Sequence, residues 1–118
     1  MAKGGWHRLR EEDAVTIARR LPVRFDFAVE AELPCAGDLS LTRVAHQVRQ
    51  DMWRALQGLR GFAPAVRVEQ HGGHLLLRAG GEVAGPVSAS HRAALEALMA
   101  DPAKRARWIT FAGRRGNG

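Results

Sequence analysis

The chain of 118 residues has one cysteine, no tyrosine and only two lysines among its 18 basic residues. The single cysteine, Cys35, excludes an internal disulfide framework and suits a reducing compartment, so we expect the protein to be cytoplasmic. The absence of tyrosine excludes nucleases and transposases that use a tyrosine nucleophile. No apolar run is long enough for a transmembrane helix, and the N-terminal residues lack the apolar stretch of a secretory signal. The sequence therefore predicts no contact with membrane.

Positive charge is in excess and unevenly distributed. The net charge is +6, and such an excess favours acidic partners, above all nucleic acid. Residues 42–62 carry a net charge of +3, whereas residues 23–41 carry −3. Because arginine, alanine and glycine all have GC-rich codons, genome composition is an alternative source of the arginine excess.

Hydrophobic periodicity predicts a single α+β domain over residues 1–118. The predicted elements are helix 11–20, strand 23–33, helix 40–60, strand 65–70, strand 75–79, helix 88–100 and strand 107–112. A continued helix is the alternative for residues 107–112, since Asp101 and Pro102 also fit the first positions of a helix. Residues 1–9 are predicted to be a flexible basic arm and residues 113–118 a flexible basic tail.

This order matches a ferredoxin-like split βαβ fold, β-α-β-β-α-β, with an extra N-terminal helix. In that layout an antiparallel four-stranded sheet is covered by helices on one face and open on the other, and strand 23–33 is central. The predicted core is apolar and lies on the covered side. It consists of Phe25, Phe27, Val29, Val44, Val48, Met52, Leu56, Val66, Val68, Leu75, Leu77, Leu95 and Leu98.

The outward half of helix 40–60 is the strongest candidate binding surface. It carries four arginines and a tryptophan, which are side chains that contact phosphates and stack on bases. The candidate binding residues for nucleic acid or another partner are Arg43, Arg49, Trp53, Arg54 and Arg60. A plain solvated helix face is the alternative. Trp6, near the N-terminus, either packs back onto the core or serves as a stacking or anchoring group.

Other candidate sites are weaker. His71 and His74 flank a predicted turn at Gly72-Gly73, where with Glu69 they offer at most an incomplete metal site. Cys35 has no histidine placed by the sequence to act as its base. We therefore expect no catalytic residues, no metal site and no cofactor.

The sequence thus predicts a small non-enzymatic binding or regulatory module that contacts nucleic acid or a nucleoprotein complex through the arginine-rich helix. The alternative is a protein–protein adaptor or inhibitor that occludes a partner's surface and does not bind nucleic acid. An open sheet face with an exposed leucine also favours a homodimer.

Overall fold

The computed structural model describes residues 5–35 and 37–113. It shows an antiparallel five-stranded sheet with three helices on one face. The elements are β1 (His7–Arg10), β2 (Ala14–Ala18), β3 (Phe27–Pro34), α1 (Leu41–Ala55), β4 (Ala63–His71), β5 (His74–Glu82), α2 (Ala89–Ala100) and α3 (Pro102–Ala112). The strand order is β1-β2-β4-β5-β3. The predicted α+β class is confirmed. The predicted four-stranded ferredoxin-like layout is not confirmed, because the sheet has five strands and residues 107–112 are helical.

The N-terminal part departs most from the sequence prediction. Residues 14–18 form β2 and not part of a helix, because Val15, Thr16 and Ile17 are consecutive β-branched residues that favour extended backbone. All five residues of β2 are buried, and the strand pairs with β1 on one side and β4 on the other. Residues 7–9 of the predicted flexible arm belong to β1. Residues 1–4 of that arm and residues 114–118 of the predicted tail lie outside the described residues.

The strand predicted at residues 23–33 begins at Phe27 and lies at the edge of the sheet, so its predicted central place is wrong. Before it, Asp26 accepts a hydrogen bond from the backbone N–H of Val83 at 3.0 Å, which holds the segment beside the end of β5. The hairpin of β4 and β5 turns at Gly72-Gly73 as predicted. β3 pairs with β5 alone, because residues 107–112, its other neighbour in the expected layout, belong to the helix α3.

The helix α1 begins as predicted, with Ser40 as its N-cap, but ends at Ala55 instead of residue 60. Leu56 is the C-cap, and Gly58 adopts a φ of +89°, a conformation that glycine takes readily. The chain therefore leaves the helix before Gly61, and Arg60 lies in the following turn.

At the C-terminus, α3 replaces the strand predicted at residues 107–112, and the helical alternative is correct. The Asp101 carboxylate caps α3 by accepting from the backbone N–H groups of Ala103 and Lys104. Trp108 is fully buried, and its indole N–H donates to the Asp51 carboxylate of α1 at 2.7 Å. Arg107 donates to the same carboxylate at 2.7 Å, so a buried acid fastens α3 to α1.

One hydrophobic core lies between the sheet and the helices. Of the predicted core residues, Phe25 and Val29 are only partly buried, and all the others are buried. The Phe25 ring lies 5.6 Å from the guanidinium carbon of Arg78, an arginine on the opposite face of the sheet from the helices. That opposite face is open, and Leu76 is exposed on it.

Candidate functional site

A pocket of about 290 Å³ opens where α1 borders the end of β2 and the beginning of β4. Its lining combines aromatic and cationic side chains. The lining residues are Trp6, Arg19, Arg49, Trp53, Phe62 and Pro64.

Four separate parts of the chain contribute these residues. Arg49 and Trp53 are four residues apart on α1 and therefore project from the same side of the helix. Arg19 directly follows β2, and its backbone N–H donates to the carbonyl of Pro64 at 2.9 Å. This bond ties the end of β2 to the beginning of β4 and fixes the base of the pocket.

The aromatic wall of the pocket is anchored in the core. The Trp53 and Phe62 rings are nearly parallel, with an interplanar angle of 10° and 6.2 Å between centroids. Phe62 in turn lies 5.9 Å from the ring of Phe27, which is buried. Trp53 is nevertheless 49% exposed, so the wall presents a supported indole surface to solvent.

Trp6 lies close to both arginines of the pocket. The guanidinium carbon of Arg49 is 4.6 Å from the Trp6 ring centroid, and that of Arg19 is 5.9 Å away, both within cation–π range. The preceding Gly5 has a φ of +57°, and a Cβ atom there would meet the Arg19 guanidinium. A glycine at this point lets the chain pass close to Arg19 and place the indole on Arg49.

The electrostatics of the pocket are positive. The Nε–H group of Arg49 donates to Nδ1 of His46 at 3.2 Å. Within residues 5–35 and 37–113, Arg49 forms no ion pair with a carboxylate. Partial burial lowers the pKa of Arg49, and burial together with the charges of Arg49 and Arg8 lowers the pKa of His46. Both shifts arise because partial burial disfavours the charged form and no carboxylate of the described residues compensates for it.

The structure brings together only two of the five predicted binding residues, Arg49 and Trp53. Arg54 points to the other side of α1, 3.8 Å from the Asp51 carboxylate, in a groove that α2 and α3 also line. Arg43 lies in the first turn of α1 and Arg60 beyond its end, so a continuous stripe does not form.

Sequence reasoning missed Arg19, Phe62 and Pro64 as parts of the site. The odd placement of Trp6 beside two glycines was the one available signal. The other three residues reach the pocket through the pairing of β2 with β4, and periodicity along the chain carries no information on that pairing.

The remaining candidates do not assemble into sites. His71 and His74 face each other in the hairpin register, but the described residues contain no group of three potential metal ligands. The Cys35 thiol is 3.8 Å from the side-chain amide of Gln70. None of the helices in the described part of the chain has the length and apolarity needed to cross a bilayer.

The open sheet face holds a second cavity, of about 350 Å³, with a different character. Here Arg78 contacts Glu30 at 2.7 Å, and Arg67 contacts Glu69 at 2.9 Å and Glu11 at 2.7 Å. The hydrogen bond from Arg67 lowers the pKa of Glu69, the expected effect of a cation beside a carboxylate. Positive charge on this face is therefore neutralised within the protein.

Comparison of the chain with protein-family models, curated proteins and solved structures finds no match.

Proposed function

We propose that this protein is a small non-enzymatic binding module that contacts nucleic acid, alone or within a nucleoprotein complex, through Arg49, Trp53 and the pocket around them. One observation carries the proposal. Arg49 is a half-buried cation that no carboxylate of the described residues pairs, and it stands beside two tryptophans.

A phosphate is the ligand that best suits this arginine. A partly desolvated guanidinium lacks part of its hydration and gains most from an anion that accepts two parallel N–H bonds. Phosphate oxygens offer that geometry, and arginine binds them more specifically than lysine does. Arg8 adds a further positive charge near His46, which also favours an anion at this site.

The other three predicted arginines are expected to contribute to binding to different extents. Arg43 and Arg60 form no ion pair within the described residues, so both remain available for phosphates along a bound strand. Arg54 shares its charge with Asp51 and is expected to contribute least.

The test is fluorescence anisotropy of labelled oligonucleotides at several salt concentrations. Replacement of Arg49, Arg54 and Arg60 by glutamine should flatten the log–log salt dependence by roughly one unit per lost phosphate contact. Arg92→Gln on α2 removes one positive charge away from the pocket and is the matched control for Arg49→Gln alone. Equal affinities and slopes for the triple variant and the wild type would refute the proposal.

A protein partner is the second candidate, favoured by the exposed Leu9 and Leu76. Both lie on the open face of the sheet, where an adaptor or inhibitor would occlude a partner. A pull-down with and without nuclease separates the two candidates. An adaptor keeps its partner after nuclease treatment and loses it in a Leu76→Glu variant.

A further inference from the structure

We infer that the pocket between Trp6 and Trp53 takes one unpaired nucleotide, its base against the aromatic wall and its phosphate on Arg49. This inference rests on the proposed function and adds to it a preference for single strands over duplex.

The shape of the pocket supports a base as the occupant. Trp53 and Phe62 form a nearly parallel pair of rings, and the contact of Phe62 with Phe27 holds that pair against the core. A supported, half-exposed aromatic surface of this kind suits a planar ring that can lie flat against it. A base within a duplex shows only its edges, because its two faces are stacked on neighbouring bases, whereas an unpaired base exposes a face.

The size of the pocket limits the occupant to one residue of a strand. At about 290 Å³ it lies at the lower end of the range of roughly 300–1,000 Å³ that is typical of small-molecule sites. A single nucleotide suits such a volume, and a run of stacked bases does not.

The charge of the pocket favours an anionic occupant, because no carboxylate of the described residues pairs with Arg49. The lining holds two arginines and no acidic residue. Arg49 and Arg19 both lie near the Trp6 ring, so an anion bound there would sit beside the aromatic surface and not apart from it. A planar ring joined to an anionic group is the description of a nucleotide, whether free or within a strand.

The experiment compares four probes: a ten-nucleotide thymidine strand, the same backbone made with a stable abasic analogue, a duplex of equal length, and thymidine monophosphate. Abasic and intact strands carry equal charge, so their difference isolates the base. We expect the intact strand to bind roughly 5- to 100-fold more tightly than the abasic strand, the range that stacking of one base on an aromatic side chain gives.

Variants locate the effect in the pocket. Trp53→Ala and Trp6→Ala should each remove most of the advantage of the intact strand and leave binding of the abasic strand within about twofold. Trp53→Phe keeps an aromatic ring against Phe62 and is the control for an effect of Trp53→Ala on folding. Quenching of tryptophan fluorescence by the intact strand should vanish in a Trp6→Phe, Trp53→Phe double variant, whose remaining Trp108 is fully buried.

Each outcome separates this inference from the proposed function. If intact and abasic strands bind equally well and Arg49→Gln weakens both, the unpaired-nucleotide site is refuted and nucleic-acid binding stands. If only thymidine monophosphate binds, with quenching, the nucleotide site stands, its source is the free nucleotide, and the proposed function fails. If no probe binds, both fail.

Discussion

The two broad surfaces of this protein use arginine in opposite ways. On the open sheet face and at its margin, Arg24, Arg67 and Arg78 each lie within 2.8 Å of a carboxylate oxygen. Along α1, Arg43 and Arg49 form no ion pair within the described residues. The number of arginines and carboxylates in the sequence does not distinguish paired from unpaired arginines. The difference depends on which side chains the fold places next to each other.

The contrast between the two surfaces indicates where the excess positive charge of the protein is accessible to a partner. A net charge of +6 is a property of the whole chain, but the paired arginines of the sheet face add little to the field that an external anion meets. The arginines of α1 and its neighbours then dominate that field. Attraction of a polyanion is therefore expected on the helix side and not on the open sheet, and the predictions below test that division.

The largest effect is expected from Phe27→Ala. Phe27 is buried and carries Phe62, which in turn supports Trp53, so one truncation opens a cavity and loosens the pocket wall. We expect a loss of about 3–5 kcal/mol in the free energy of unfolding, a large part of the stability of a domain of this size. Thermal or urea unfolding measures it, and a melting temperature within a few degrees of wild type would contradict the packing.

A pair of single substitutions tests the division of charge directly. Arg49→Gln and Arg78→Gln remove the same charge, one from the pocket and one from an ion pair with Glu30. We expect Arg49→Gln to weaken oligonucleotide binding several-fold and to reduce the salt slope by roughly one unit, because one phosphate contact is lost. Arg78→Gln should change neither by much, and equal losses in both variants would contradict the division.

Self-association tests whether the open sheet face binds protein, in this case a second copy of the chain. Leu76 is exposed on an open sheet face, which favours pairing with a second copy. We expect a homodimer that Leu76→Glu dissociates, measured by light scattering at high protein concentration. A wild-type particle of 12.9 kDa under those conditions would exclude the dimer.

How far the sequence predicts this molecule depends on whether a pattern is local. The periodicity that predicts α1 and the Gly72-Gly73 hairpin are local, and the structure has the beginning of α1 and the hairpin where the sequence predicts them. The strand β2 at residues 14–18 depends on both kinds of pattern, since its β-branched residues favour a strand locally and its pairing with β1 and β4 is not local. Acidic residues before this segment and basic residues after it suit a helix dipole, but the burial of β2 between two other strands outweighs that weak preference.

The site follows the same rule. Arg49 and Trp53 are found from the sequence because they lie on one helix, four residues apart. Arg19 and Phe62 join them through the antiparallel pairing of β2 with β4, whose register no short segment specifies. The predicted end of α1 is wrong for a related reason. Gly58 and Gly61 are both glycines that can end a helix, so the local sequence does not distinguish them. Only the packing of Leu56 as a buried C-cap decides between them.

The smallest expected effect is a dependence on pH that has opposite signs for folding and for binding. Burial, then the charges of Arg49 and Arg8, lowers the pKa of His46 in the folded protein below its ordinary value of about 6.5. Below that value the unfolded chain binds more protons at this residue than the folded protein does, so acidification favours unfolding. The contribution of His46 is therefore fully present above about pH 6.5 and declines as the pH falls toward the folded pKa.

A bound phosphate reverses this dependence at the same histidine. Burial is the largest cause of the lowered pKa of His46, but an anion on Arg49 offsets the smaller contribution of the Arg49 charge. Binding should therefore favour uptake of a proton and strengthen as the pH falls from 7 to 5.5. His46→Gln should flatten both trends, the fall in melting temperature and the rise in affinity, over that range. Parallel trends in wild type and His46→Gln would show that other groups govern the pH dependence, and a wild-type affinity that falls on acidification would place the anion away from His46.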